Sequence, residues 1–212
     1  MKSLVACTAA VIALVLAAPA VAEPVIVALG DSLTAGFGVA PDEAYPARLA
    51  ERLRREGYDY GVVNAGVSGD TSAGGLRRLD WVLRLKPEIV IVALGANDGL
   101  RGQPVAAMRD NLAAIVKRIR ATGAQVLLAG MQMPPNYGEA FTRDFAAAYA
   151  DVARTAAIRL VPFLLDGVAA NPALNLPDGV HPNAAGHRVI AERLWPQLRP
   201  LLRQPTEPKR TS

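Results

Sequence analysis

Ile89-Val90-Ile91-Val92-Ala93-Leu94 has no polar side chain over its whole length and runs straight into Gly95-Ala96-Asn97-Asp98. A strand covered on one face alternates apolar and polar residues. A run that is apolar on both faces is what a central parallel strand with helices on each side requires. Outward from this strand, Val25 to Leu29 repeats the pattern and ends in Gly30-Asp31-Ser32, and Val62-Val63 leads into Asn64-Ala65-Gly66. Val126 to Ala129 and Arg159 to Pro162 read as a fourth and a fifth strand. Helical spacing fills the intervals. Tyr45 to Arg55 places Leu49 and Leu53 on one face, and Ala73 to Leu85 reads as the next helix. Pro104 opens a helix to Arg120 that Gly123 closes, Glu139 to Ala157 is another, and Ala184 to Leu202 is the last. Strands alternating with helices predict an α/β fold, a three-layer α/β/α sandwich with a mostly parallel five-stranded sheet.

The N-terminus reads as a targeting segment. Lys2 supplies a positive charge, Leu4 to Val21 is nearly unbroken apolar sequence, and Ala20-Val21-Ala22 is a small-residue cleavage site. Residues 1–22 are therefore expected to be an export signal, leaving a periplasmic or secreted protein that begins at Glu23 and keeps no stable membrane anchor. Cys7, the one cysteine, lies within that signal ahead of most of its apolar stretch, so it reads as an apolar signal residue and not as a lipidation site. The mature chain then has neither a disulfide nor a thiolate for nucleophilic or metal chemistry.

Cleavage leaves 190 residues with a formal charge of +3, which favours a single domain over residues 23–203, a disordered polar tail at 204–212 and a monomer. The basic residues are interleaved with acids, as in Arg48 to Glu56, and aromatic residues are few, so nucleic-acid binding is not supported. There is no His-Glu-x-x-His pattern and no phosphate-binding Gly-rich loop ending in Lys-Ser/Thr, so neither a metal nor a cofactor is expected.

Ligands of open parallel sheets bind beyond the carboxyl ends of the strands. Three polar turns, Gly30-Asp31-Ser32, Ser68-Gly69-Asp70 and Gly95-Ala96-Asn97-Asp98, are expected on that edge. The mature chain has four serines, at 32, 68, 72 and 212; Ser212 is terminal and Ser72 opens a helix. Ser32 could be a nucleophile held in a rigid turn or simply a helix cap, and the local pattern weighs the two equally.

His181 breaks the tie. A serine hydroxyl needs an adjacent base, and the base needs a third group to orient it. In Asp178-Gly179-Val180-His181-Pro182, Asp178 is close enough along the loop to fix the imidazole, and Pro177, Gly179 and Pro182 stiffen it. His187, six residues on, reads as an ordinary helix residue. Backbone N–H groups of Ser32 and Gly69 and the amide of Asn97 are suitable donors for an oxyanion. The absence of a G-x-S-x-G elbow argues against an ordinary α/β-hydrolase.

Gly30-Asp31-Ser32-Leu33, Ser68-Gly69-Asp70, Gly95-Ala96-Asn97-Asp98 and Asp178-Gly179-Val180-His181-Pro182 resemble, in order, the four sequence blocks of the GDSL or SGNH hydrolases. Asn97 to Gly102 and Pro134 to Gly138 resemble the periplasmic thioesterase/arylesterase/lysophospholipase branch. Ala96 stands where that branch often has a second glycine, leaving Asn97 in place.

The resemblance covers the mature chain and implies a flavodoxin-like fold. It implies Ser32 as nucleophile, His181 as base with Asp178 as its partner, and Ser32, Gly69 and Asn97 as the oxyanion hole. It also implies an acyl pocket shaped by the segments after Asn97 and after the fourth strand, with Leu100, Met131, Met133 and Pro134 as expected substrate contacts. The two methionines could equally just cover the core. The implied activity is hydrolysis of linear acyl esters, aryl esters and lysophospholipids, and of acyl thioesters. A carbohydrate acetylesterase and a non-catalytic acyl-ligand binding protein are the alternatives.

Overall fold

The computed structural model describes residues 23–205; the expected export signal, 1–22, and residues 206–212 of the expected tail lie outside the described residues. Five parallel strands form one sheet in the order β2-β1-β3-β4-β5: β1 Val25–Gly30, β2 Gly61–Gly66, β3 Ile89–Ala93, β4 Gln125–Ala129 and β5 Arg159–Val161. All five are where the sequence places them. β3 is buried at every position and β1 at all but its first, as a run apolar on both faces demands. β2 extends past Val63 to Gly66 because an edge strand tolerates a polar residue: Asn64 is exposed there.

The chain turns one way from β1 to β2, across α1 Ser32–Ala35 and α2 Tyr45–Arg55. It then reverses, through α3 Ser72–Arg77 and α4 Leu79–Arg84 to β3, and continues outward through α5 Ala96–Leu100, α6 Val105–Ala121 and α7 Glu139–Ala156. Right-handed crossovers moving in opposite directions along a sheet put their helices on opposite faces. Accordingly α2 packs with α8 Ala184–Leu198 in one layer, and α6 packs with α3 and α7 in the other. The reversal falls between β1 and β3, and this is where an open sheet leaves its crevice. Gly30 is level with Gly66 on one side and Ala93 on the other, so the three polar turns leave the sheet side by side.

Three helical expectations change. The helix foreseen over Ala73 to Leu85 is two helices, because Arg78 leaves helical geometry (φ −96, ψ 7) with its side chain turned back to the sheet. The first is capped by Thr71, which accepts from Gly74 N–H, and Ser72 is its first residue. The last helix stops at Leu198 and gives way to a 3₁₀ turn over Arg199–Leu201. Both α1 and α5 occupy stretches that read as plain turns; helices of four and five residues leave no periodic signal.

Candidate active site

The turn after β1 is wedged. A Cβ on Gly30 would lie 1.9 Å from Thr34 Oγ1, and one on Gly66 would lie 2.2 Å from the backbone nitrogen of Ala35. Glycine at both strand ends is therefore what lets α1 sit directly on the sheet edge. Asp31, not Ser32, caps α1: its Oδ1 accepts from Leu33 N–H at 3.0 Å. Ser32 is the first residue of the helix, a position whose backbone N–H has no partner inside the helix. Thr34 anchors the turn further, with Oγ1 2.9 Å from Tyr45 Oη and its carbonyl accepting from Asn64 Nδ2 at 2.8 Å.

The second wall is the loop before α8. Leu176 N–H donates to His181 O at 2.7 Å, Asn183 N–H to Leu174 O at 2.9 Å, and Asn175 bridges Pro182, so the loop is tied at both ends. Asn183 caps α8 through Ala185 and Gly186 N–H. Within this loop Asp178 Oδ1 accepts from the backbone N–H groups of Val180 and His181, both at 2.9 Å. Its Oδ2 faces His181 Nδ1 at 2.7 Å. The His181 backbone N–H is the largest cause, followed by that of Val180 and the imidazole itself, holding the carboxyl down at about 2.

With its Nδ1 proton directed at Asp178, the His181 ring turns Nε2 toward Ser32 Oγ, 3.0 Å away. Phe37, just beyond α1, packs on that ring at 4.5 Å between centroids. The reading of Ser32 as a mere cap thus gives way to a continuous hydrogen-bonded line from Ser32 through His181 to Asp178.

His187 is elsewhere. It is buried in the α2–α8 interface, its Nδ1 accepting from Tyr45 N–H at 3.3 Å. Burial pushes the imidazole down to about 4.

Gly69 and Asn97 complete the edge. Gly69 adopts a left-handed backbone (φ 79) in the loop after β2. Asn97, in the first turn of α5, donates from Nδ2 to Asp70 O at 2.9 Å and, at a longer 3.3 Å, to Asp31 Oδ2. The longer bond is the one an incoming acceptor can replace.

Asp31 is 2 % exposed, and burial raises its carboxyl to about 6 despite the hydrogen bonds it accepts. Arg78 spans the same wall, donating from Nε to Asp70 Oδ2 at 2.7 Å and from Nη2 to Gly30 O at 2.9 Å. Asp98, fully buried, accepts from Ser72 N–H and Ser72 Oγ and so fastens α3 to α5.

None of these supporting roles for Asp31, Arg78 or Asp98 was foreseen. The burial of Asp31 is the hardest to foresee, because a carboxylate beside a serine reads as solvent-facing turn chemistry. Of the four expected substrate contacts, Leu100 and Pro134 are exposed. Met131 and Met133 are buried in the core, where Met133 occupies the space a Cβ on Gly99 would need. Among the described residues no group of three His, Cys, Asp or Glu side chains could hold a metal ion.

The sequence profile of the GDSL-like lipase/acylhydrolase family matches residues 28–189. The chain belongs to that family. This GDSL-like acylhydrolase is 45 % identical over 192 residues to the esterase TesA of Pseudomonas aeruginosa, covering 90 % of this chain and 96 % of the relative. It is 37 % identical over 184 residues to the thioesterase 1/protease 1/lysophospholipase L1 of Escherichia coli, covering 86 % and 87 % of the two chains. The crystal structure of TesA superposes with a TM-score of 0.82 at 46 % identity, covering 84 % of this chain and 99 % of that one. The GDSL-like acylhydrolase is a carboxylic ester hydrolase, and its five-stranded parallel sheet is the fold of its structural neighbours.

Proposed function

We propose that Ser32 Oγ attacks the carbonyl carbon of an acyl ester while His181 Nε2 takes its proton. The proton then passes from Nε2 to the leaving oxygen, or to sulfur in a thioester, as the bond to the acyl carbon breaks. Water repeats the sequence on the acyl-enzyme and releases the acid. Asp178 keeps the Nδ1 proton in place and stabilises the imidazolium. The N–H groups of Ser32 and Gly69 and the Asn97 amide receive the oxyanion.

The observation that carries this reading is the unbroken line from Ser32 Oγ to His181 Nε2 at 3.0 Å and from His181 Nδ1 to Asp178 Oδ2 at 2.7 Å. Linear acyl esters and thioesters are the substrates we favour, aryl esters and lysophospholipids among them, supported by Leu100 beside the site and by the activities the relatives are named for. We also place the enzyme outside the cytoplasm, as a monomer, after cleavage behind Ala22; N-terminal sequencing of the exported protein should begin at Glu23.

The deciding experiment is a chain-length series of p-nitrophenyl esters and acyl-CoA thioesters. Ser32→Ala and His181→Ala should each lose about 10⁶ in kcat, and Ser32→Ala should escape covalent capture by a fluorophosphonate. Full turnover in His181→Ala overturns the mechanism. A strict preference for sugar acetates overturns the choice of substrate and favours a carbohydrate acetylesterase.

A further inference from the structure

Among the described residues five large apolar side chains are exposed by 45 to 50 %: Phe37, Val67, Trp81, Leu100 and Val180. Trp81 lies on α4. The other four come from four separate segments, each bordering one of the active-site turns, and so lie along the rim of the site. Phe37 packs on the His181 ring, and Val180 is the residue before His181. Val67 leaves β2 with its N–H on Gly30 O, two residues before Gly69. Leu100 ends α5, and the next residue, Arg101, donates from Nη2 to Gly69 O at 2.9 Å.

The helical faces carry ion pairs such as Arg48–Glu51, Arg143–Asp144 and Arg154–Asp151. On the rim the neighbouring carboxylates, Asp178 and Asp70, are already engaged by His181 and Arg78. Arg101 has no carboxylate partner among the described residues. Exposed apolar side chains grouped beside a hydrolytic serine, with a cation that no carboxylate among the described residues neutralises, mark a contact surface.

We propose that this rim is a docking surface for a phospholipid layer, with the four apolar side chains entering the headgroup–acyl boundary and Arg101 meeting the phosphates. Contact with a lipid surface would then bring the ester to Ser32 without its crossing water. No helix among the described residues is long and apolar enough to cross a membrane, so the contact is peripheral. The inference rests on the ester-hydrolase reading for its purpose, but its binding step needs no turnover.

The test therefore uses two backgrounds. Ser32→Ala protein is floated with vesicles of pure phosphatidylcholine and with vesicles that also contain phosphatidylglycerol, and should partition onto both. Adding Val67→Thr and Val180→Thr should lower partitioning about tenfold, the order set by making two half-exposed aliphatic side chains polar. In the Ser32 background Val67→Thr alone, which leaves the Asp178–His181 loop untouched, should keep turnover of a short, monomeric p-nitrophenyl ester within about twofold. If the threonine pair does not fold, serine at the same positions replaces it.

Absence of binding to both vesicles overturns the proposal, as does binding that the pair leaves unchanged. Binding confined to anionic vesicles, lost in Arg101→Gln but not in the pair, reduces it to plain charge attraction. A dimer that the same pair dissociates means the rim's partner is a second copy of the chain. Vesicle binding without ester turnover in the wild type would instead count against the catalytic reading and leave the docking surface standing.

Discussion

Lowering the pH from 7.5 to 4.5 should expose two opposed titrations buried within the fold. His187 is 1 % exposed and pushed down to about 4, chiefly by burial, while in the unfolded chain an imidazole titrates near its ordinary 6.5. The unfolded state thus takes the proton first, so stability owed to neutral His187 is complete above 6.5 and drains away as pH falls toward 4. At about 1.4 kcal/mol per pK unit, the loss by pH 4.5 is about 2.5 kcal/mol.

Asp31 runs the other way. Its carboxyl is raised from 3.8 to about 6, so the native state takes the proton first, and its contribution is complete at low pH and lost as pH rises through 6. By pH 4.5 it returns about 2 kcal/mol. In the wild type these two nearly cancel. In His187→Asn, where the amide oxygen can replace Nδ1 as the acceptor for Tyr45 N–H, the Asp31 arm stands alone. The variant should then gain about 2.5 kcal/mol relative to wild type over this range, whatever the substitution costs at neutral pH. Asp31→Asn should lose about 2 kcal/mol on the same comparison. Urea unfolding at half-unit pH steps, followed by tryptophan fluorescence, reads both slopes. Wild-type and His187→Asn stabilities that run parallel to within about 0.5 kcal/mol would refute the reasoning, because they would mean that His187 is as easily protonated in the fold as outside it.

Other outcomes follow from the site itself. Asn97→Ala should lower kcat by about 10²–10³ on a p-nitrophenyl ester, with KM little changed, as expected for a donor used mainly in the transition state. Asp178→Asn should lower kcat by about 10⁴, less than loss of the histidine, since geometry survives while the tautomer is lost. Gly30→Ala should destabilise by about 3 kcal/mol or more in thermal unfolding, because the new methyl would lie 1.9 Å from Thr34 Oγ1 and 2.9 Å from Ala93 O. Arg78→Met should weaken the Gly30–Asp70 wall and reduce kcat more than it reduces the unfolding midpoint, measured by steady-state kinetics beside a thermal melt.

The buried strands were legible in the chain because covering both faces of a parallel sheet leaves an unmistakable apolar run at Val25 to Leu29 and Ile89 to Leu94. The grouping of Ser32, Asp178 and His181 in space was legible for a different reason: few serines and histidines exist, and the Asp–His spacing is local. Short helices apart, the supporting side chains that were missed depend mostly on partners distant in sequence. Arg78 breaks a helix to reach Gly30 O, 48 residues away, and Asp98 fastens Ser72, 26 residues away. The burial of Met131 and Met133 was likewise undecidable from a run that suits a core as well as a pocket wall. Periodicity reports which face of an element is apolar; it carries no record of what that face meets.

Ser32 and His181 are 149 residues apart, whereas Asp178 and His181 are three apart. The aspartate and the histidine therefore belong to one short loop, and the serine opens α1 directly behind the first strand. What joins them is the seam between α2 and α8: Tyr45 N–H on His187, Arg52 paired with Glu192 and lying over the Trp195 ring, and Trp195 edge-on to Tyr58. Chain order puts the serine near the start and the histidine near the end, so the Ser32–His181 contact can form only once the loop before α8 is in place. On the proposed mechanism, hydrolysis then begins only when the two ends of the chain have met.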